Sequence, residues 1–543
     1  MAVRQSASRN GGASRRAWFV SACLVVLFVS ALFLRAYWNL DAAHPAEGEF
    51  ILSGGSDPYY HKHAADQIQA NGFRHHLQDP LLNYPAGSEN PNPPFYQWFI
   101  AAGGQMLAPL FGGDVTEATW QVAIWSPAIF GALTLIPIYF LGAVLFDRRV
   151  GLVAALLWTV STSAIDAGGV GLADHDSTVI FFATLSFLFY IQAIRHFRGE
   201  GNWISRWSDG SAVWNGYVNL LRERRAGFAY ALLAAISIAA VALTWKGFNY
   251  VLGVIFIYAG VQLIVDHFRS RDSTGLYLGT LLATGLAVLI ALPYYFQANV
   301  ANFLTPTWYL LGFFLIAGAV LVVTRDLPSL LVLPAMLVMG ILGVIVAFFV
   351  VPNVAQSLLY ATVYLKQTRL YETIAEAHPA DFSTMAFGIG PVAFLLALAG
   401  WFILLFRVAA RPVQATLATA GFLTLALIVY ITASQIGEGT AALPLVGVVL
   451  LTWLVVMFSL GDTPVGRAHA FALLWAAIAL FMAASAVRFL INAVPIFAIF
   501  GAFMAVWVLD WLDFGSIRKS LAANRGNAWQ GLRKGTRPLH IVA

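Results

Sequence analysis

Apolar runs of about 20 residues, separated by short polar segments, recur from one end of the 543-residue chain to the other. That length is what an α-helix needs to cross a hydrocarbon layer roughly 30 Å thick. Runs near residues 17–37, 120–146, 150–165, 177–194, 227–244, 249–266, 274–292, 308–323, 329–351, 389–406, 413–433, 441–459, 467–487 and 489–511 predict about fourteen spans. Phe95–Phe111 is also apolar, but it is short and broken by Gly103-Gly104. It is read as lying in the membrane interface. The predicted fold class is an all-α polytopic membrane protein with about 13–14 transmembrane helices.

Composition agrees: 59% of residues are hydrophobic and 10% charged, against roughly 25% charged in soluble domains. The lone cysteine, Cys23, lies in the first apolar run, so the chain offers neither an internal disulfide nor a cysteine metal site. The basic start (Arg4, Arg9, Arg15, Arg16) followed by Ala17–Leu34 resembles a signal peptide. It lacks a small-residue cleavage site before Arg35 and is read as an uncleaved first span.

Positive charge sets the orientation. With the N-terminus in the cytoplasm, only Arg35, Lys62, Arg74, Lys246, Lys366, Arg369 and Arg488 of the 31 Lys and Arg fall on or near the outer side. Counting Phe95–Phe111 as a span would turn Arg148-Arg149 and the cluster from Arg195 to Arg225 outward. The expected organisation is a cytoplasmic tail at 1–16, a membrane domain at 17–511 and a basic cytoplasmic tail at 512–543. The outer loops 39–119 and 351–388 are the longest, and most of the histidines lie outside. The net charge of +5 is modest and follows topology, so no nucleic-acid partner is implied.

Three sparse acidic motifs share the outer side: Gly54-Gly55-Ser56-Asp57-Pro58-Tyr59-Tyr60-His61, Gly171-Leu172-Ala173-Asp174-His175-Asp176, and Thr373-Ile374-Ala375-Glu376. Each alone has a bland reading. Gly, Ser, Asp and Pro are ordinary turn residues, Glu376 fits a solvated loop, and the nearby histidines fit the interface. Together, carboxylates converging at a membrane surface would repel one another. A hard divalent cation with oxygen ligands resolves that repulsion. Arg488 lies between two apolar runs, where an arginine is costly and pairs with an anion such as a lipid-linked phosphate, or snorkels to the headgroups.

This set resembles the catalytic subunit of oligosaccharyltransferase, most of all its archaeal single-subunit form. Asp57, with Tyr84-Pro85-Ala86-Gly87 in the same loop, is similar to the family's first acidic motif. Asp174-His175-Asp176 resembles the second, Thr373–Glu376 the third, and Arg488-Phe489-Leu490 with Pro495 the arginine segment that binds the lipid phosphate. The resemblance runs from about residue 17 to 511 and implies a GT-C-type glycosyltransferase membrane domain. It further implies transfer of a glycan from a dolichyl phosphate or diphosphate carrier to asparagine in Asn-X-Ser/Thr of an acceptor polypeptide. The implied metal ligands are Asp57, Asp174, Asp176 and Glu376, for Mn²⁺ or Mg²⁺. Asp57 and Glu376 would be catalytic, engaging the acceptor amide; Arg488, His175 and Thr373 would bind substrate. The implied location is an archaeal plasma membrane with the site on its extracellular face.

The family often has an arginine seven residues before the second motif, where this chain has Ala167. The family also continues into a last span and an outer soluble domain bearing Trp-Trp-Asp-Tyr-Gly. Trp511-Leu512-Asp513-Phe514-Gly515 falls at the predicted cytoplasmic end and is read as coincidence, so the chain is expected to stop before that domain. Other readings remain: a different polyprenyl-phosphate-dependent transferase acting on Ser, Thr or lipid, or a transporter of lipid-linked sugar. The transporter reading is weakened by the lack of an inverted repeat.

Overall fold

The computed structural model describes residues 2–37, 39–40, 52–90, 92–197, 209–269, 271–323, 375–378, 380–408 and 464–512, besides the isolated positions 331, 334, 338 and 522–523. It is almost wholly helical. In chain order come α1 (Ala2–Ala36), α2 (Asp57–Ala70), α3 (Phe95–Leu107), α4 (Val115–Leu133), α5 (Leu135–Leu145), α6 (Arg148–Val160), α7 (Thr162–Asp166) and α8 (Asp176–His196). Then follow α9 (Gly210–Glu223), α10 (Arg225–Ala242), α11 (Asn249–Phe268), α12 (Thr274–Gln297) and α13 (Thr305–Val323). The last are α14 (Phe382–Ile389), α15 (Pro391–Val408), α16 (Pro464–Ser485) and α17 (Leu490–Leu512). A two-residue antiparallel ladder, β1 (Gln78–Asp79) with β2 (Ser88–Glu89), ties the first outer loop to itself.

Among the described residues, nine segments are long and apolar enough to cross a membrane, or ten with the bent pair α14–α15. The chain is thus an integral membrane protein. The predicted spans 413–433 and 441–459, and all of 329–351 but the isolated positions 331, 334 and 338, lie outside the described residues. Two predicted spans differ in shape. The run at 150–165 is not one helix: α6 stops at Ser161, whose extended backbone (φ −69°, ψ 128°) leads into the short α7. The run at 389–406 is preceded by α14, and the two helices meet at 103°. Gly390, at φ +107°, makes that corner, and Pro391 cannot continue the preceding helix.

Phe95–Phe111 does lie against the bundle as a 13-residue helix, α3, too short to cross. Its glycines do not break it. A Cβ at Gly104 would stand 2.8 Å from the Thr119 Cα, so the glycine lets α3 pack closely on α4.

Capping and core packing follow local chemistry. The Asp114 carboxylate accepts from the Thr116 and Glu117 amides at the start of α4, and Asp147 does the same for Arg149 and Val150 at α6. Phe187 of α8 packs against Trp475 of α16 with ring centroids 4.6 Å apart, and the Trp475 indole donates to the Tyr250 hydroxyl at 2.7 Å. Arg35, at the end of α1, is fully buried and donates from Nη1 to the Ala31 carbonyl at 3.1 Å.

The two ends of the bundle differ in charge chemistry. At the end reading as cytoplasmic, Arg149 pairs with Asp510 at 2.6 Å across α6 and α17. There the buried Asp266 of α11 pairs with Arg467 of α16 at 2.7 Å. Asp174, Glu376 and Arg488 belong to the opposite ends of α8, α14 and α16–α17.

Candidate active site

Two glycine-bearing loops build the first half of the site. The segment before α2 holds Gly54 at φ +87°, and its missing Cβ leaves room for the Leu172 side chain, which would otherwise stand 2.0 Å away. The segment before α8 holds Gly171 at φ +84°. The Ser53 amide donates to the Gly171 carbonyl, the Gly171 amide to Ile124, and the Val170 amide to Arg35, each at 3.0 Å. These bonds lash the first and second acidic motifs to each other, to the outer end of α1 and to the middle of α4.

The second half comes from the far end of the chain. Glu376 lies in a short helical turn, Ala375–Ala377, and Arg488 in another, Val487–Phe489. The Val487 amide donates to the His378 carbonyl at 2.8 Å, and Arg488 Nη1 meets Glu376 Oε1 at 3.1 Å. Asp176 lies within electrostatic reach of Asp174, His175, Arg488 and Glu376, which joins the two halves.

At the centre stand His61, Asp174 and His175, whose ligand-capable atoms all lie within 4.8 Å of one another. Asp174 Oδ1 accepts from the His175 backbone amide at 2.6 Å, lies 2.7 Å from His175 Nδ1, and is 3.4 Å from His61 Nε2. Burial opposes ionisation of Asp174, but His175 and His61 outweigh it and hold the carboxyl well below the usual range. Burial would likewise depress His175, yet Asp174, Asp176 and Asp57 push it up to about 9. His61, buried, is pushed down. The point therefore carries surplus negative field and draws a cation.

Asp57 opens α2 and is exposed, its charge reaching both histidines. Asp57, Asp176 and Glu376 stand around the central group and outside the 4.8 Å set. Thr373 lies outside the described residues. His61 is the addition: the sequence left the histidines near Asp57 with an open interfacial alternative and placed His61 in no ligand set. Its spacing, one helical turn after Asp57, was the available signal. The donor set suits a divalent metal: imidazole and carboxylate serve Zn and its neighbours, and the surrounding carboxylates add hard oxygen donors.

The comparisons with known proteins bear on this geometry. The family model described as Oligosaccharyl transferase STT3, N-terminal, matches residues 25–512. The chain belongs to that family. Among curated relatives, Dolichyl-phosphooligosaccharide-protein glycotransferase 3 of Archaeoglobus fulgidus is 24% identical over 396 residues, covering 68% of this chain and 41% of the relative. Among solved structures, the archaeal oligosaccharyltransferase AglB of that organism, in complex with an inhibitory peptide and a dolichol-phosphate, superposes with a TM-score of 0.68 at 18% identity. That match covers 94% of this chain and 52% of that one. An oligosaccharyltransferase crystal structure from that organism, in complex with Zn and sulfate, gives 0.58 at 17% identity over 94% and 52%. The chain thus spans about half the length, or less, of these family members, and shares with the solved ones their membrane fold.

Proposed function

We propose that this chain carries the catalytic membrane domain for transfer of a glycan from a dolichyl phosphate or diphosphate carrier to the asparagine amide of Asn-X-Ser/Thr. The observation that carries the reading is the meeting of four distant segments. Residues 57–61, 174–176, 376–378 and 487–489 bring clustered carboxylates, the imidazoles of His61 and His175 and one phosphate-competent arginine to one end of the bundle. By the arginine count, that end faces outward across an archaeal plasma membrane.

In this reaction the amide nitrogen attacks C1 of the first sugar and the bond from C1 to the carrier's phosphate oxygen breaks. The amide loses one proton, and the electron pair leaves with the phosphate. An amide nitrogen is a poor nucleophile because its lone pair is delocalised into the carbonyl. Asp57 and Glu376 accept hydrogen bonds from the acceptor NH₂, which weakens that delocalisation and gives the departing proton a base. The Arg488 fork offsets charge on the leaving phosphate. Asp174, His61 and His175, joined by Asp57, Asp176 and Glu376, are the residues to hold Mn²⁺ or Mg²⁺. Such an ion supplies Lewis-acid stabilisation of the leaving group. Because a ligating imidazole must be neutral, His175 would give up its extra proton to serve as a ligand.

The test incubates the protein in its own membranes with Mn²⁺, lipid extract of the host and a fluorescent Asn-X-Thr peptide. The expected product is a glycopeptide that disappears on chelation and returns with Mn²⁺ or Mg²⁺. Sugar appearing on Ser, Thr or lipid while the asparagine stays bare would overturn the reading.

A further inference from the structure

Beside the candidate centre lies a second polar cluster that the mechanism above does not use. His75 follows α2 in the first outer loop, and its ring meets Tyr294 of α12 at 5.8 Å and Trp98 of α3 at 6.5 Å, both edge to face. Both His75 ring nitrogens, the Tyr294 hydroxyl and the Asn90 Nδ2 are buried atoms with no hydrogen-bond partner. Asn90 and Tyr294 are themselves 1% and 8% exposed. Tyr60 links them: its hydroxyl donates to Asn90 Oδ1, and it lies within electrostatic reach of Tyr294. The next residue, His61, is part of the candidate centre, and Gln97 Nε2 sits 3.4 Å from His61 Nδ1. So the cluster adjoins the reacting position.

Unpaired buried donors and acceptors are costly, and a folded protein normally satisfies nearly all of them. Several gathered where the first outer loop meets α12 call for a ligand that both donates and accepts. Burial and His76 push His75 down to about 4, so its imidazole is neutral and offers one donor and one acceptor. Asn90 and Tyr294 add an amide donor and a hydroxyl, and Trp98 is partly open, at 36% exposure. A site of aromatic surface with a few convergent neutral polar groups suits an uncharged, hydroxyl-rich molecule better than an ion.

We propose that His75, Asn90, Trp98 and Tyr294 form a carbohydrate subsite that holds the glycan of the lipid-linked donor while its phosphate sits at Arg488. The proposal rests on the glycosyl-transfer reading and names where that donor's sugar is recognised.

The experiment measures retention of radiolabelled dolichyl phosphate and of dolichyl phosphate bearing one hexose by the protein in nanodiscs. The variants are His75→Phe, Tyr294→Phe and the two combined. Each removes only the unpaired atoms and keeps a ring, and the single variants keep the test standing if the double variant fails to fold. The expected result is a wild-type preference for the hexosylated lipid of about tenfold, most of which the double variant loses. Its affinity for bare dolichyl phosphate stays unchanged, and its thermal midpoint holds or rises. A hexose preference unchanged in the variants overturns the subsite, whether or not the midpoint rises. Equal wild-type affinity for the two lipids also sinks it, leaving the transfer reading in place. If the wild type retains neither lipid, the transfer reading fails and the subsite falls with it.

Discussion

Replacing Arg488 separates chemistry from scaffold more sharply than any other change at the site. Its guanidinium meets Glu376 at 3.1 Å, with the two side chains 44% and 58% exposed. An ion pair so open to water is worth about 0–1 kcal/mol of stability, since solvent screens it and two long side chains must be held still. Arg488→Gln should therefore lower the unfolding free energy by no more than about 1 kcal/mol. The catalytic cost should be much larger. A donor aimed at charge that develops only as the glycosyl–phosphate bond breaks is worth about 2.7–4 kcal/mol, or roughly 10²–10³ in rate. Arg488→Lys keeps the charge and loses the planar fork, so its loss should fall between. The assays are thermal unfolding in detergent and single-turnover glycopeptide formation at saturating donor, normalised to folded protein. A large drop in stability with normal turnover per folded molecule would refute the reasoning. It would make Arg488 a brace for the Glu376 segment.

Three further outcomes follow from the geometry. Asp266→Asn strands the half-buried Arg467, while Gln262 and Ser273, which now donate to the carboxylate, stay beside the new amide. It should cost about 3–5 kcal/mol, whereas the Asp266→Leu/Arg467→Met pair should restore most of it in a double-mutant cycle of denaturation energies. In chelator-treated protein, His175 binds its proton more tightly folded than unfolded, because its carboxylate neighbours overcome its burial. The stability this gives is fully present below about pH 6.5 and is lost as pH rises through about 9. A midpoint-against-pH series should show that fall, and Asp174→Asn should flatten it. Gly104→Ala forces a methyl to within 2.8 Å of the Thr119 Cα, so it should loosen α3 from α4 and raise limited proteolysis of the first outer loop.

Much of this architecture was legible in the chain because a hydrocarbon solvent leaves few options. Backbone groups must pair within helices, so the apolar runs at 177–194, 227–244 and 274–292 found their helices within a few residues. The arginine count correctly put Arg149 and Arg467 at one end and the acidic motifs at the other. Details set by tertiary contact were not legible. The break at Ser161 is held by its hydroxyl donating to the Gly388 carbonyl at 2.9 Å, 227 residues away, and no local pattern announces that bond. Gly103-Gly104 looked like a helix breaker because the partner that needs their small size, α4, comes later in the chain. Asp174 and Glu376 were found as sparse charges on an apolar background. His61 was missed because a histidine beside a membrane has many ordinary uses, and only the fold sets its Nε2 3.4 Å from Asp174.

The most direct test of the central claim is the attachment atom. Peptides bearing Asn-Val-Thr and Gln-Val-Thr are incubated with the protein, its lipid-linked donor and Mn²⁺, and fragmentation mass spectrometry locates the sugar. The account predicts sugar on the asparagine amide nitrogen alone, lost in Glu376→Gln and Asp174→Asn protein that still folds. Sugar on the threonine hydroxyl, or equal labelling of both peptides, would contradict it.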